Sequence, residues 1–262
     1  MATRAHAPLS LGARGALAAL LAAALAAPAP AAEPTAADRA LLAASNLFAA
    51  APEQFRARVA IRTTGGDDRT ELEIWRGGRD RLLVRPLAAR QRGKLILQVG
   101  AERWLLAPGA RQPVKLGAGF RLHGGISFEE LLGIDIERGY RLLRTESAGR
   151  IVTFHLEAES ATAAATGTAA ARWVVDRETR RPLRADLLLE SGRVARVVEF
   201  RGFRPGSRPV PEVVVLKDVL RGTPPLEVEL LAIEEREVPA ALFDLADGGA
   251  RERLLADDPV GP

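Results

Sequence analysis

The chain has 262 residues, no cysteine, and 37 basic against 33 acidic residues, for a formal charge of +4. The missing cysteines exclude disulfides, thiol nucleophiles and a thiol-linked lipid anchor. Arginine outnumbers lysine 34 to 3 amid abundant alanine, a bias of GC-rich coding and not the clustering of basic and aromatic residues that marks a nucleic-acid surface, so no nucleic-acid partner is expected.

In the first 31 residues Arg4 and Arg14 are the only charges, and Gly15 to Ala27 is an apolar run of Ala and Leu. This reads as the n- and h-regions of a signal peptide. Ala29-Pro30-Ala31 places cleavage before Ala32, which leaves an exported chain of 35 basic and 33 acidic residues. The run is too short for a membrane span, which needs about 20 apolar residues, and every later apolar stretch is broken by Arg, Glu or Gly. A soluble exported chain is expected.

From Thr35 to Ala51, Leu41, Leu42, Leu47 and Phe48 recur at helical spacing, with Thr35 as a cap and Asp38 three residues on. At Phe55 the period changes to two, and Phe55, Ala57, Val59 and Ile61 predict one dry face of a strand. Twelve further strand-like segments follow: RTELEIWR, DRLLVRP, GKLILQV, ERWLLAP, RQPVKL, YRLLRTES, RIVTFHLEA, ARWVVDRE, PLRADLLLE, RVARVVEFRGF, PEVVVLKDV and PLEVELLAIEERE. Short turns join most of them, among them Gly65-Gly66-Asp67-Asp68, Gly77-Gly78, Ala148-Gly149, Ser191-Gly192 and Arg204-Pro205-Gly206-Ser207, so hairpins dominate. The stretch from Ala158 to Ala171 reads as a long loop.

An antiparallel sheet of this many strands curls instead of lying flat. Its concave face must be filled with side chains, covered by helices, or left to hold a ligand. A second helix is predicted at Ser127-Phe128-Glu129-Glu130, whose Ser and Glu match a capping box. It is about two turns long, so Phe128, Leu131 and Leu132 need tertiary burial. On its own terms this segment is either a plug in an ordinary core or a cover over a cavity.

Several motifs together resemble the LolA/LolB-like superfamily, in particular its periplasmic outer-membrane lipoprotein-sorting group. They are Gly93, Lys94, Leu95, Trp104 and Pro108, then Ser127, Phe128, Glu129, Glu130 and Leu131, then Tyr140. RWVVDRETRRPLRADLLLESGRVARVVEFRGF, PVPEVVVLKDVLRG and VPAALFDL continue the likeness over most of residues 35 to 245. The resemblance implies a mainly β (α+β) fold, a curved antiparallel sheet forming an unclosed barrel with lid helices over its mouth. That barrel would span residues 32–247, with 248–262 as a flexible tail.

The resemblance also implies a non-enzymatic role, sheltering the acyl chains of a lipoprotein or lipid between inner and outer membrane, with an RND-type inner-membrane exporter as donor and transient membrane contact. The alternative is a lipid-sensing regulator of the same fold that binds a membrane-bound partner; a third possibility is an enzyme on a reused scaffold. The expected lining is Leu72, Ile74, Leu95, Leu97, Val99, Val152, Phe154, Leu156, Val213, Val215, Val228 and Leu230, and the same alternation would equally serve a filled core. Lid contacts are expected from Leu41, Leu42, Phe48, Phe128, Leu131 and Leu132.

Catalytic spacing is missing. His123 and His155 stand apart from any metal motif, and Ser127 lacks a nucleophile elbow. No cofactor or metal is expected. Asp176, Asp186 and Asp218 are expected to pair with arginines. Trp75, Trp104 and Trp173 each stand in a strand beside an arginine, an arrangement for packing or for stacking at a headgroup. The basic hairpins Arg76–Arg81 and Glu178–Arg184 are either solvated faces or contacts for an anionic partner.

Overall fold

The computed structural model describes residues 33–110, 112–117, 119–122, 125–127, 130–131, 134–204 and 210–257. The expected signal peptide, His123, Phe128, Leu132 and the side chain of Phe48 lie outside the described set.

All thirteen predicted segments form strands of one antiparallel sheet. They are β1 (Gln54–Thr63), β2 (Arg69–Gly77), β3 (Arg81–Pro86), β4 (Leu95–Val99), β5 (Glu102–Leu106), β6 (Val114–Leu116) and β7 (Tyr140–Ala148), followed by β8 (Ile151–Ala158), β9 (Ala170–Asp176), β10 (Arg181–Leu188), β11 (Val194–Phe203), β12 (Pro211–Asp218) and β13 (Leu226–Glu235). The spatial order is β6-β5-β4-β3-β2-β1-β13-β12-β11-β10-β9-β8-β7. The first and last strands therefore pair at the centre, while β6 and β7, consecutive in the chain, form opposite edges. The sheet stays open, and residues 117–139 connect its two edges. They bring Leu122, Ile126, Ile134 and Ile136 into the same buried cluster as Val59, Ile74, Phe154, Trp173 and Leu187. This long connection thus helps to cover one side of the curl.

The predicted N-terminal helix is broken in two, α1 (Ala36–Ala44) and α2 (Leu47–Ala50). Thr35 and Asp38 form the capping box, with the Asp38 amide donating to Thr35 Oγ1 at 3.1 Å and the Thr35 amide to Asp38 Oδ2 at 2.9 Å. At the break, the Ser45 hydroxyl bonds the Leu42 carbonyl at 2.8 Å and receives Trp173 Nε1 at 3.0 Å. Asn46 Nδ2 donates to Asp135 Oδ1 and Glu137 Oε2, both at 2.9 Å. Ser and Asn compete locally with helical hydrogen bonds, and here both side chains are buried and satisfied from across the fold.

Two segments differ from expectation. Within Ala158–Ala171, Ser160–Thr166 is a helix, α3, ended by Gly167 at φ 75°; alanine is the strongest helix former and glycine accepts the left-handed cap. Arg121 donates to the carbonyls of Ala165 and Thr166, both at 3.2 Å, and so satisfies acceptors the helix leaves open.

Residues 248–262, expected as a flexible tail, instead contain helix α4 (Gly248–Asp257) as far as they are described. Together with a 3-10 turn at Ala240–Phe243 it forms a strap on the convex face, where Val238, Leu242, Phe243 and Leu255 pack on Trp75, Leu83, Leu95 and Leu97. Arg251 is buried in that strap, with Nε donating to the Leu242 carbonyl at 3.1 Å and Nη2 to that of Asp244.

Candidate functional site

The concave face is apolar because β1, β2, β8, β9, β10 and β11 each turn one alternating set inward, from Ala57, Val59 and Ile61 on β1 to Val198 and Phe200 on β11. Trp173 is fully buried there, its ring centroid 5.3 Å from that of Phe200. Among these side chains and beneath α2 a cavity remains, with ≈ 90 Å³ of space open to the centre of a water molecule. Its wall includes Leu47, Ala51, Phe55, Val59, Ile74, Phe200, Val214, Val228, Leu230 and Ile233, and its roof includes Glu130 and Leu131.

The expected lining divides by face. Leu72, Ile74, Val152, Phe154, Leu156 and Val228 lie in the concave cluster with Leu230 packed against it, and of these Ile74, Val228 and Leu230 reach the cavity. Leu95, Leu97 and Val99 belong to the opposite cluster under the C-terminal strap, and Ile96 is the inward residue of β4. Val213 and Val215 also face outward, opposite Arg201 and Glu199 in the register of β11, whereas Val214 and Leu216 face in. Both strands are apolar on successive residues, so period-two alternation is lost there and only pairing with neighbours sets the face. Extending the dry face of β1 through the sheet would have found Phe55, Ala57 and Val59 as wall residues. Of the expected lid residues, Leu42 is buried in the concave cluster and Leu41 and Leu131 pack against it.

Polar ties hold the roof over this apolar floor. The Ser127 amide donates to Glu130 Oε2 at 2.8 Å and the Glu130 amide to Ser127 Oγ at 3.1 Å, as the capping box requires. Arg196 of β11 reaches the same carboxylate, with Nη1 2.7 Å from Oε1 and 2.5 Å from Oε2, and Nη2 lies 3.4 Å from Asp218 Oδ2. The Glu130 side chain is 5 % exposed, so this is a shielded, charge-assisted contact. Near Asn46, Arg79 stands 3.9 Å from Asp135.

Several other ionisable groups pair with one another. Asp176 meets Arg150, and Asp186 meets Arg172 at 3.0 Å and Arg184 at 2.6 Å. The Thr179 amide, with help from Arg150, holds the Asp176 carboxyl below its usual range against the opposing effect of burial. His155 Nε2 lies 3.2 Å from Glu146, whose pKa Arg144 and His155 draw down. Trp75 packs beneath Arg85 and Arg56, with guanidinium carbons 4.8 and 5.9 Å from its ring centroid. The hairpin at Arg76–Arg81 is not solvated throughout: Arg76 is buried, its pKa pushed down mainly by that burial and then by Arg79. Among the described residues no three His, Asp or Glu side chains gather as metal ligands, and no helix is long and apolar enough to cross a membrane.

No family model and no curated protein matches the sequence. Solved structures do. A LolA superfamily protein from Nitrosomonas europaea superposes with TM-score 0.67 at 22 % identity, over 79 % of this chain and 96 % of that one. A domain described as an outer membrane lipoprotein-sorting protein from Vibrio parahaemolyticus gives TM-score 0.60 at 12 % identity, over 79 % and 94 % of the two chains. A DUF1329 family protein from Desulfovibrio piger ATCC 29098 gives 0.60 at 14 % identity, over 79 % and 98 %. At these identities the likeness is one of fold.

Proposed function

We propose that this chain, whose fold is that of LolA-like structures, is a non-enzymatic periplasmic carrier. It shelters the acyl chain of a lipoprotein or lipid in the concave cavity on the way from inner to outer membrane, with an inner-membrane exporter, of the RND type, as donor. The observation that carries this reading is an apolar cavity on the concave face, roofed by segments held with polar side-chain ties. Each methylene taken from water contributes about 0.8 kcal/mol, so a carrier must replace on the order of 10 kcal/mol of shelter for one long chain. The cavity of ≈ 90 Å³ is well below the roughly 300–1,000 Å³ of pockets that hold ligands of drug size. Loading therefore requires the roof to move. Ties such as Arg196–Glu130 and Asn46–Asp135 suit that task, because each can be broken and remade without unpacking the sheet.

Native mass spectrometry with lipid extraction, on protein purified from its exported compartment, tests the reading. Stoichiometric lipid or acylated peptide is the expected result. A bare mass that stays bare after incubation with membrane lipids would overturn the carrier and leave a filled core with a protein-binding role.

A further inference from the structure

Glu130 belongs to two cavities. One side of it faces the apolar cavity already described; the other faces a polar cleft of ≈ 280 Å³ formed by the ends of β10–β12, the C-terminus of α3 and Gly119, Arg121 and Gly125 of the edge-to-edge connection. Three guanidinium groups, those of Arg121, Arg196 and Arg221, line this cleft against two carboxylates, Glu130 and Asp218. Glu130 pairs with Arg196, and Asp218 is shared between Arg196, at 3.4 Å, and Arg221, whose Nε stands 3.9 Å away with its side chain 76 % exposed. Arg121 is held by the carbonyls of Phe120, Ala165 and Thr166, and forms no ion pair among the described residues. The cleft is thus fixed in shape by backbone acceptors while its positive charge is incompletely neutralised. The apolar cavity and this cleft of net positive charge share Glu130 as a wall residue.

We propose that the cleft receives the phosphate of an anionic lipid whose acyl chain enters the adjoining apolar cavity. The inference rests on the carrier reading and names its cargo class. Phosphate presents several acceptor oxygens, and arginine binds it in the forked geometry it offers a carboxylate. A phosphate at Arg196 takes the place of Glu130, so headgroup binding and release of the roof become one event.

Dioleoyl phosphatidic acid and dioleoylglycerol differ only in the phosphate. Each is presented to the full exported protein in nonionic detergent, and retained lipid is counted by native mass spectrometry. Phosphatidic acid should be retained about tenfold more strongly, the effect of one or two charge-assisted contacts. Arg221→Gln, at a side chain 76 % exposed, and Arg121→Gln should each remove most of that preference, and Arg221→Gln should leave dioleoylglycerol unaffected. Equal retention of the two lipids overturns the headgroup site while the carrier reading stands. A preference that survives both substitutions overturns its location. If neither lipid is retained, both readings fail. Inorganic phosphate, titrated calorimetrically, should bind far more weakly than phosphatidic acid; binding as tight would make free phosphate the occupant and overturn the lipid.

Discussion

The convex and concave faces of the sheet are both covered, one by the C-terminal strap and the other by α1, α2 and the 117–139 connection, and both covers combine apolar packing with polar ties. On the convex side the strap packs so closely that a methyl group on Gly77 would come within 2.4 Å of the Phe243 ring. Beneath it, Glu73 is buried between Arg56, at 2.5 Å, and Arg85, with Trp75 under both guanidinium groups. On the concave side, side-chain ties join distant segments, and a cavity is left between roof and floor. The difference lies in the space each cover leaves: the concave cavity is walled mainly by apolar side chains, whereas a cleft of ≈ 530 Å³ beside the strap is shared by Leu95 and Leu106 with Gln112, Arg251 and Glu252, so the first is the better shelter for an apolar chain.

Truncation of one large ring on each side tests that contrast most strongly. Trp173→Ala and Phe243→Ala should each cost about 3–5 kcal/mol in urea unfolding. Only the first should also raise protease cutting at Ser45–Asn46, because it removes the indole that holds the break. Equal cutting in both variants would mean that the roof depends on global stability alone.

Glu73→Gln leaves two guanidinium groups facing each other under the strap. A loss of about 3 kcal/mol is expected, at the low end for broken buried pairs because the arginine side chains keep 17 and 18 % exposure. Lipid retention should not change. Gly77→Ala should cost about 1–3 kcal/mol through displacement of Phe243, measured by thermal melting. A neutral result would show that the strap gives way, against the contrast drawn above.

Arg196→Gln should lower the cost of opening the roof by about 1.5 kcal/mol. Hydrogen exchange at the Glu130 and Leu131 amides should accelerate by about tenfold, while amides of β1 and β13 keep their protection. The smallest expected effect is a pH dependence on the convex face. Lys217, then Arg201, holds the Glu199 carboxyl below its usual range against partial burial. Its folded pKa is depressed, so on acidification the unfolded chain takes up the proton first. The stability that Glu199 adds is present above the ordinary carboxylate range and is lost as pH falls through the depressed value. Glu199→Gln should flatten the acid limb of the stability profile slightly and leave the concave face unaffected.

The strands were legible where alternation or turn residues were strong, and every predicted strand is present. Legibility stopped at the faces of β4 and β12, where LILQV and VVVL are apolar on consecutive residues and only cross-strand pairing separates Ile96 from Leu97 and Val214 from Val215. It stopped also at α3, because a run of small residues near turn signals reads as loop, and at α4, whose Gly-Gly start and mixed charges hide an anchoring Leu255. The Glu130 end of the candidate site was readable as a cap. Its second partner, Arg196, lies 66 residues away and left no local mark.

What the sequence determined by itself is what acts over a few residues: the strand period, the turns, and the capping pairs Thr35–Asp38 and Ser127–Glu130. Tertiary structure alone decided that β1 and β13 meet at the centre of the sheet, that the edge-to-edge connection covers one face, and that the helix near residue 45 breaks to meet Trp173, 128 residues on. A side chain's period is set by its own backbone, but the face it buries is chosen by whichever distant segment comes to cover it.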